Sequence, residues 1–149
     1  MNKNTFLVDL SESGRTDFGR VEFAKQPFPQ KVFSAIWKVE SEVNNGGFVQ
    51  YFENDCETAS FVAESLDAVG APKTADICRR AIGVAFPNGL PVDPDEISSQ
   101  AAEFSEEIRD RLDELDREFF SYPHPLTDLL FDFVCAHPNE FGTVSDQGN

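Results

Sequence analysis

The side chains that could form a nucleophilic pair here are cysteine and histidine, because a histidine can deprotonate a neighbouring thiol. The chain has three cysteines and two histidines, namely Cys56, Cys78, Cys135, His124 and His137. Cys78 and Cys135 fall in apolar, helical stretches where thiols are inert, and Cys56 stands between two acids that oppose a thiolate. Each histidine precedes a proline, with no cysteine at a metal-ligand spacing. We expect structural or surface roles for all five, with the thiols reduced.

Carboxylate pairs could perform acid–base catalysis, but with 27 acidic side chains some pair always lies at a suitable separation. Asp93, Asp95 and Glu96 suggest a calcium loop, yet the glycine and terminal glutamate of an EF-hand are missing. Acids at these positions are instead typical of a helix N-terminus, where the helix dipole favours them. The sequence also has no phosphate-binding glycine loop and no nucleophile elbow. We therefore predict that the protein is not an enzyme and has no cofactor and no metal.

The charge of the chain is strongly negative and unevenly distributed. Its 27 acids and 12 bases give a formal net charge of −15. Residues 1–85 carry 12 acids and 9 bases, whereas residues 86–149 carry 15 and 3. A field of this sign repels nucleic acid and anionic membranes, so we expect neither direct nucleic-acid binding nor membrane binding.

Most of the excess charge lies between residues 93 and 118, where eleven acids stand against three arginines. Because helix residues three and four apart are neighbours, Glu106, Asp110 and Asp113 are expected to form one carboxylate row. Ten acids make up the predicted partner-binding surface: Asp93, Asp95, Glu96, Glu103, Glu106, Glu107, Asp110, Asp113, Glu114 and Glu118. The alternative is a solvated helix face with Glu107–Arg111 and Asp113–Arg117 pairs, and adaptation to high salt would give the same composition.

Hydrophobic periodicity predicts the helices that would position these residues. The predicted segments are Val32–Val43 with a stop at Asn44-Asn45-Gly46-Gly47, Thr58–Val69, Thr74–Phe86, one helical stretch from Pro94 to Tyr122-Pro123, and Leu126–Ala136. No convincing alternating strand competes. We predict an all-α, compact single-domain bundle of about five or six helices spanning residues 31–141, after an N-terminal segment 1–30 of unclear structure and before a disordered tail, 142–149. No signal-peptide core or membrane-spanning stretch is present, so a cytoplasmic location is expected.

A second distinctive stretch follows the first predicted helix. Paired glycines free the backbone to turn and aromatic side chains follow at once, which predicts a tight, aromatic-packed helix junction. The residues concerned are Asn45, Gly46, Gly47, Phe48, Gln50, Tyr51, Phe52 and Asn54. On these residues the chain resembles a bacterial domain family, formally of unknown function, whose best-known members are DNA-mimic proteins. The resemblance runs from about Val32 to Ala85.

The resemblance implies an all-α fold, a homodimer, and an acidic surface that imitates duplex DNA. Such a surface would occupy the DNA-binding face of a transcription regulator or nucleoid protein, without catalysis. The motif itself is interpreted as structural. Two other hypotheses stay open: an immunity or adaptor protein that neutralises a basic toxin or enzyme, and a small hydrolase or ligand-binding enzyme whose polar pocket is lined by Asn45, Gln50 and Tyr51.

Overall fold

A computed structural model of the chain describes residues 2–12, 22–54 and 56–141. These residues form helices and no β-strand, which confirms the predicted all-α class. They include eight α-helices rather than five or six. The helices are α1 (Lys3–Glu12), α2 (Phe28–Asn54), α3 (Val62–Ala68), α4 (Pro72–Ala85), α5 (Pro94–Ala102), α6 (Glu106–Phe120), α7 (Leu126–Cys135) and α8 (Pro138–Phe141), with short 3-10 helices at Phe23–Lys25 and Cys56–Thr58. The tail predicted at 142–149 lies outside the described residues.

Two of the additional helices stand at the ends of the described chain. In α1, within the segment whose structure the sequence left unclear, Phe6, Leu7 and Leu10 are buried, and the helix packs against α7. In α8, the single turn after His137-Pro138 buries Phe141, whose ring lies 5.9 Å from that of Phe33 in α2. Both helices are held by tertiary burial, which outweighs their weak or very short sequence signals.

The predicted helix stop at Asn44–Gly47 is confirmed, because Gly46 and Gly47 have non-helical dihedral angles and divide α2 into two helical segments, the second of which ends at Asn54. The bend consists of Gly46 and Gly47, and is called the α2 bend below. Gly47 has φ +78° and ψ −178°, a region that is essentially open to glycine alone. The glycines therefore end one helical segment and begin the next, and the prediction was wrong only in leaving residues 48–54 outside the helices.

The single helical stretch predicted after Pro94 is also wrong, because it forms two helices. Helix α5 ends at Ala102, and α6 begins at Glu106, with Ser105 as its N-cap. The Ser105 hydroxyl accepts a hydrogen bond from the amide of Ile108 at 3.2 Å, which satisfies a free donor of the first turn. Phe104 lies between the helices and is buried against Phe86, with ring centroids 5.5 Å apart.

Helix α6 packs against α2 and α4, and α5 packs against α2. The apolar face of α6 matches the predicted periodicity, since Leu112, Leu115 and Phe119 are buried. The opposite face of α6 therefore points to solvent. None of the helices in the described ranges is long and apolar enough to cross a membrane.

Candidate functional site

The ten acids predicted as a partner-binding surface are all exposed. They lie at the N-terminus of α5, in the link that follows α5, and along α6. We call this set the α5–α6 acidic surface: Asp93, Asp95, Glu96, Glu103, Glu106, Glu107, Asp110, Asp113, Glu114 and Glu118. We predicted one helical stretch after Pro94, which would place Glu103 and Glu107 on the same helix. Because α5 and α6 are separate helices, Glu103 instead lies in the link before α6.

The N-terminus of α5 has the geometry expected of a capped helix. The Asp93 carboxylate accepts a hydrogen bond from the amide of Asp95 at 3.0 Å, and Asp95 and Glu96 lie in the first turn. These acids stabilise the helix through its dipole while their side chains stay in solvent. The prediction that Asp93, Asp95 and Glu96 mark the N-terminus of a helix is therefore confirmed. Within residues 2–12, 22–54 and 56–141, no three histidine, cysteine or acidic side chains are grouped to hold a metal ion.

Four of the six acidic-surface carboxylates on α6 form no ion pair with another residue that the structure describes. Arg117 pairs with Asp113 at 2.8 Å, as predicted from the four-residue spacing. The predicted partners Glu107 and Arg111, both in the described part of the chain, do not come within the 4.0 Å of an ion pair. Exposed pairs of this kind contribute about 1 kcal/mol or less to stability, so the helix gains little from them.

Glu118 lies at the edge of the acidic surface, where it forms an ion pair that the sequence analysis missed. Its two carboxylate oxygens accept hydrogen bonds from Arg80 in α4 at 2.7 and 2.9 Å. The same guanidinium also pairs with Asp76 at 2.9 Å. The hydrogen bond from Arg80 lowers the pKa of Glu118 from its ordinary value. Helical spacing within α6 could not reveal this pair, because Arg80 belongs to another helix.

Asp116, the eleventh acid of the segment, has a structural role. It is half-buried, and its Oδ1 accepts a hydrogen bond from the amide of Phe48 at 2.8 Å. A Cβ on Gly47 would lie 2.3 Å from the other carboxylate oxygen, so the backbone approaches this acid as closely as glycine permits. Burial raises the pKa of Asp116, and the bond from Phe48 partly opposes the rise. Asp116 thus fixes the α2 bend from α6.

The aromatic residues after the α2 bend fill the core. Phe48, Tyr51 and Phe52 are each about 1% exposed. The Phe48 ring lies 5.8 Å from that of Phe119 in α6, in an edge-to-face arrangement that aromatic pairs favour. The Tyr51 hydroxyl is within 2.7 Å of the Thr58 hydroxyl, so its polar end is satisfied inside the protein. These are the contacts of a structural motif.

The polar residues of the motif do not converge on a pocket. The Tyr51 hydroxyl faces the Thr58 hydroxyl in the core. The Gln50 side-chain amide instead donates a hydrogen bond to the Glu42 carboxylate at 2.8 Å. Asn45 is exposed. The geometry therefore gives no support to a hydrolase or ligand site built from Asn45, Gln50 and Tyr51.

Cys78 and the two histidines have structural surroundings, whereas Cys135 is exposed. Burial raises the pKa of the Cys78 thiol to about 12, so that thiol is not a nucleophile at neutral pH. His124 accepts a hydrogen bond through Nε2 from the amide of Lys73 at 3.1 Å, at the start of α4. His137 Nδ1 lies 2.8 Å from the Phe133 carbonyl oxygen, between α7 and α8.

Comparison with known proteins identifies one family. The family model described as DMP19-like protein matches residues 24–137, which is most of the chain. The match includes the α2 bend and all ten residues of the α5–α6 acidic surface, and so extends beyond the segment on which the motif resemblance rests. No curated protein and no solved structure matches the chain.

Proposed function

The chain belongs to the DMP19-like protein family, and we propose that it acts as a DNA mimic, in which carboxylates replace the phosphates that a basic DNA-binding protein would contact. The partner would be a transcription regulator or nucleoid protein, whose DNA binding is blocked by competition. The proposal involves no catalysis and no direct contact with nucleic acid.

The observation that carries the proposal is the linear array of exposed carboxylates on α6. Five exposed acids lie within nine consecutive positions of this helix: Glu106, Glu107, Asp110, Asp113 and Glu114. With a rise of about 1.5 Å per residue, these five carboxylates span about 12 Å, or about 3 Å per carboxylate, with Arg109 and Arg111 in the same interval and Asp113 paired to Arg117. One strand of duplex DNA carries a phosphate every 3.4 Å or so of its axis, which is a similar linear density.

The exposed face of α6 is also rigidly supported. Its opposite face packs against α2 and α4, and Asp116 joins it to the backbone of Phe48. A fixed row of charge costs less entropy to bind than one that must first be ordered. Since the chain as a whole has a net charge of −15, association with a basic partner would be fast and strongly salt-dependent.

The proposal is tested by capture from host lysate with matched charge variants. The acidic-surface variant replaces four carboxylates of α6 with amides: Glu106→Gln, Asp110→Asn, Asp113→Asn and Glu114→Gln. The control variant replaces four exposed acids elsewhere: Asp9→Asn, Glu64→Gln, Asp128→Asn and Asp132→Asn. Both lose four negative charges, so only the location of the charge differs.

We expect the unmodified chain and the control variant to capture a DNA-binding protein at low salt and to release it at high salt. The acidic-surface variant should capture little, and the captured partner should lose its bound DNA when the unmodified chain is added. Equal capture by the two variants would show that the α6 array is a solvated face. Capture of a basic toxin or enzyme would favour the immunity or adaptor hypothesis.

The homodimer implied by the family resemblance and the cytoplasmic location expected from the sequence stay predictions. A dimer would present two acidic surfaces to one partner or one DNA-binding dimer. Sedimentation of the purified chain would measure this state directly.

A further inference from the structure

A cavity of about 260 Å³ lies between α1, α2 and α7. None of the described residues that line it belongs to α5 or α6. Its apolar lining residues are Leu7, Val8, Leu130 and Trp37. Trp37 is the one tryptophan of the chain, and its ring stacks on Phe33 at 5.5 Å with an angle of 11° between planes. The indole is therefore held in a fixed orientation beside the cavity.

Glu40 is the one charged residue among the described residues that line the cavity. Its Oε2 accepts a hydrogen bond from the Tyr122 hydroxyl at 3.1 Å, and that hydroxyl accepts one from the Asn44 amide at 2.8 Å. Glu40 forms no ion pair with a residue of the described ranges. No lysine, arginine or histidine is present among the described lining residues.

Within the described ranges, the partly buried carboxylate of Glu40 thus has no counter-charge. Burial raises the pKa of Glu40, and the hydrogen bond from Tyr122 only partly opposes the rise. A cation in the cavity would stabilise the ionised carboxylate directly, because charge-assisted hydrogen bonds are stronger than neutral ones. Asn44 also lines the cavity, and its side-chain carbonyl oxygen could accept a second hydrogen bond from the same cation.

The volume of the cavity and the side chains that line it favour one class of cation. An ammonium group donates up to three hydrogen bonds and is attracted to the face of an indole. An aliphatic chain attached to it would be removed from water by the leucine and valine side chains. The volume is below the roughly 300–1,000 Å³ of sites for drug-sized ligands, so only a small group fits.

We propose that this cavity binds a small primary alkylammonium group, with its charge paired to Glu40 and its chain against Trp37 and Leu130. The group could belong to a free amine or to a lysine side chain of another protein. This site is separate from the α5–α6 acidic surface, since none of its described lining residues belongs to α5 or α6.

Binding in this cavity is measured through the fluorescence of Trp37, which lines it. The full chain is titrated with n-butylammonium chloride while the tryptophan fluorescence is recorded, with n-butanol as the neutral analogue and sodium chloride at matched ionic strength. Nα-acetyl-lysine methylamide is titrated in parallel to represent a protein side chain. We expect a saturable change with n-butylammonium and none with n-butanol or salt. Saturation by both ammonium compounds would make a lysine side chain an accessible source, and saturation by n-butylammonium alone would restrict the site to free amines.

Two substitutions test whether n-butylammonium binds in this cavity. Glu40→Gln keeps a hydrogen-bonding partner for Tyr122 but removes the charge, and should weaken n-butylammonium binding by about tenfold or more. Val8→Phe fills the cavity without changing the carboxylate, and should also abolish the saturable change. The control Glu64→Gln removes an exposed charge on α3 and should bind like the unmodified chain. Circular dichroism confirms that each variant is folded.

The proposal is overturned if n-butanol gives the same saturable change, because the cavity would then bind aliphatic chains without regard to charge. It is equally overturned if neither ammonium compound saturates the fluorescence, or if a folded Glu40→Gln variant binds n-butylammonium as tightly as the unmodified chain.

Discussion

Gly47 of the α2 bend is buried and the α5–α6 acidic surface is exposed, although Asp116 links the bend to α6, which carries most of that surface. At the bend, Gly47 and the aromatic residues after it are buried, and a Cβ on Gly47 would clash with the Asp116 carboxylate. On the acidic surface, the ten side chains are exposed and few of them touch other elements. The comparison teaches that the recognisable motif serves the fold, whereas the proposed activity resides where the fold places few demands on the side chains.

The largest effect is expected at Gly47. A Gly47→Ala substitution places a Cβ at φ +78° and within 2.3 Å of the Asp116 carboxylate, so it adds backbone strain and displaces the bond to Phe48. We expect a loss of about 3 kcal/mol in the free energy of unfolding, combining strain with a lost hydrogen bond. Urea denaturation measures it.

Gly83 is the matched control for this substitution. A Cβ there meets nothing within 4 Å, and the residue lies inside α4. Gly83→Ala should therefore stabilise the protein by about 0.5–1 kcal/mol. If the two alanine variants had equal stability, the α2 bend would not depend on glycine.

A smaller loss is expected at Asp116, where the two regions meet. Asp116→Ala leaves the amide of Phe48 without its acceptor, at a cost of about 1–3 kcal/mol. Asp116→Asn retains a carbonyl oxygen and should cost less than the alanine change. Thermal unfolding of both variants provides the comparison, and an asparagine variant as unstable as the alanine variant would contradict the role of the hydrogen bond.

The pH dependence of stability should distinguish Asp116 from the exposed acids. Burial raises its pKa in the folded state above the ordinary value of 3.8, so the folded protein binds this proton more tightly than the unfolded chain. Its contribution to stability is therefore present at low pH and is lost as pH rises through the folded pKa. The free energy of unfolding of Asp116→Asn, relative to the unmodified chain, should increase as pH rises above about 4. A difference that does not change with pH would contradict the assignment.

The smallest effect on stability is expected on the acidic surface. The four-amide variant of α6 should unfold within about 1 kcal/mol of the unmodified chain, because exposed charges contribute little and their mutual repulsion is reduced. Urea denaturation at low salt measures this. A loss of several kcal/mol would show that these carboxylates stabilise the fold, and would remove the contrast between the two regions.

Features that depend on one helix were predictable from the sequence, and features that depend on two were not. The apolar stripe of α6 and the pair between Asp113 and Arg117 follow from helical spacing alone. The glycine pair indicated that the helix is interrupted, but the acceptor from α6 that fixes the bend at Gly47 could not be predicted. The Ser105 cap was visible in principle, since a serine before two acids is a helix-start signal.

The placement of the acidic surface was predictable for the same reason. Exposure of its ten acids follows from the opposite, apolar face of α6 and from the capped start of α5. The ion pair between Glu118 and Arg80 was not predictable, because α4 approaches α6 only in the folded chain. The cavity at Glu40 was also invisible, since three helices that are distant in sequence contribute its walls.

The bond between Asp116 and Phe48 has a consequence for the order of folding. It connects residues 68 positions apart, so the geometry of the α2 bend cannot be fixed until α6 has docked. Contacts between distant parts of a chain form slowly, because a long loop must close first. The two halves of α2 are therefore expected to form early as independent local helices, with their mutual angle set late, and substitutions at Asp116 should accelerate unfolding more than they slow folding.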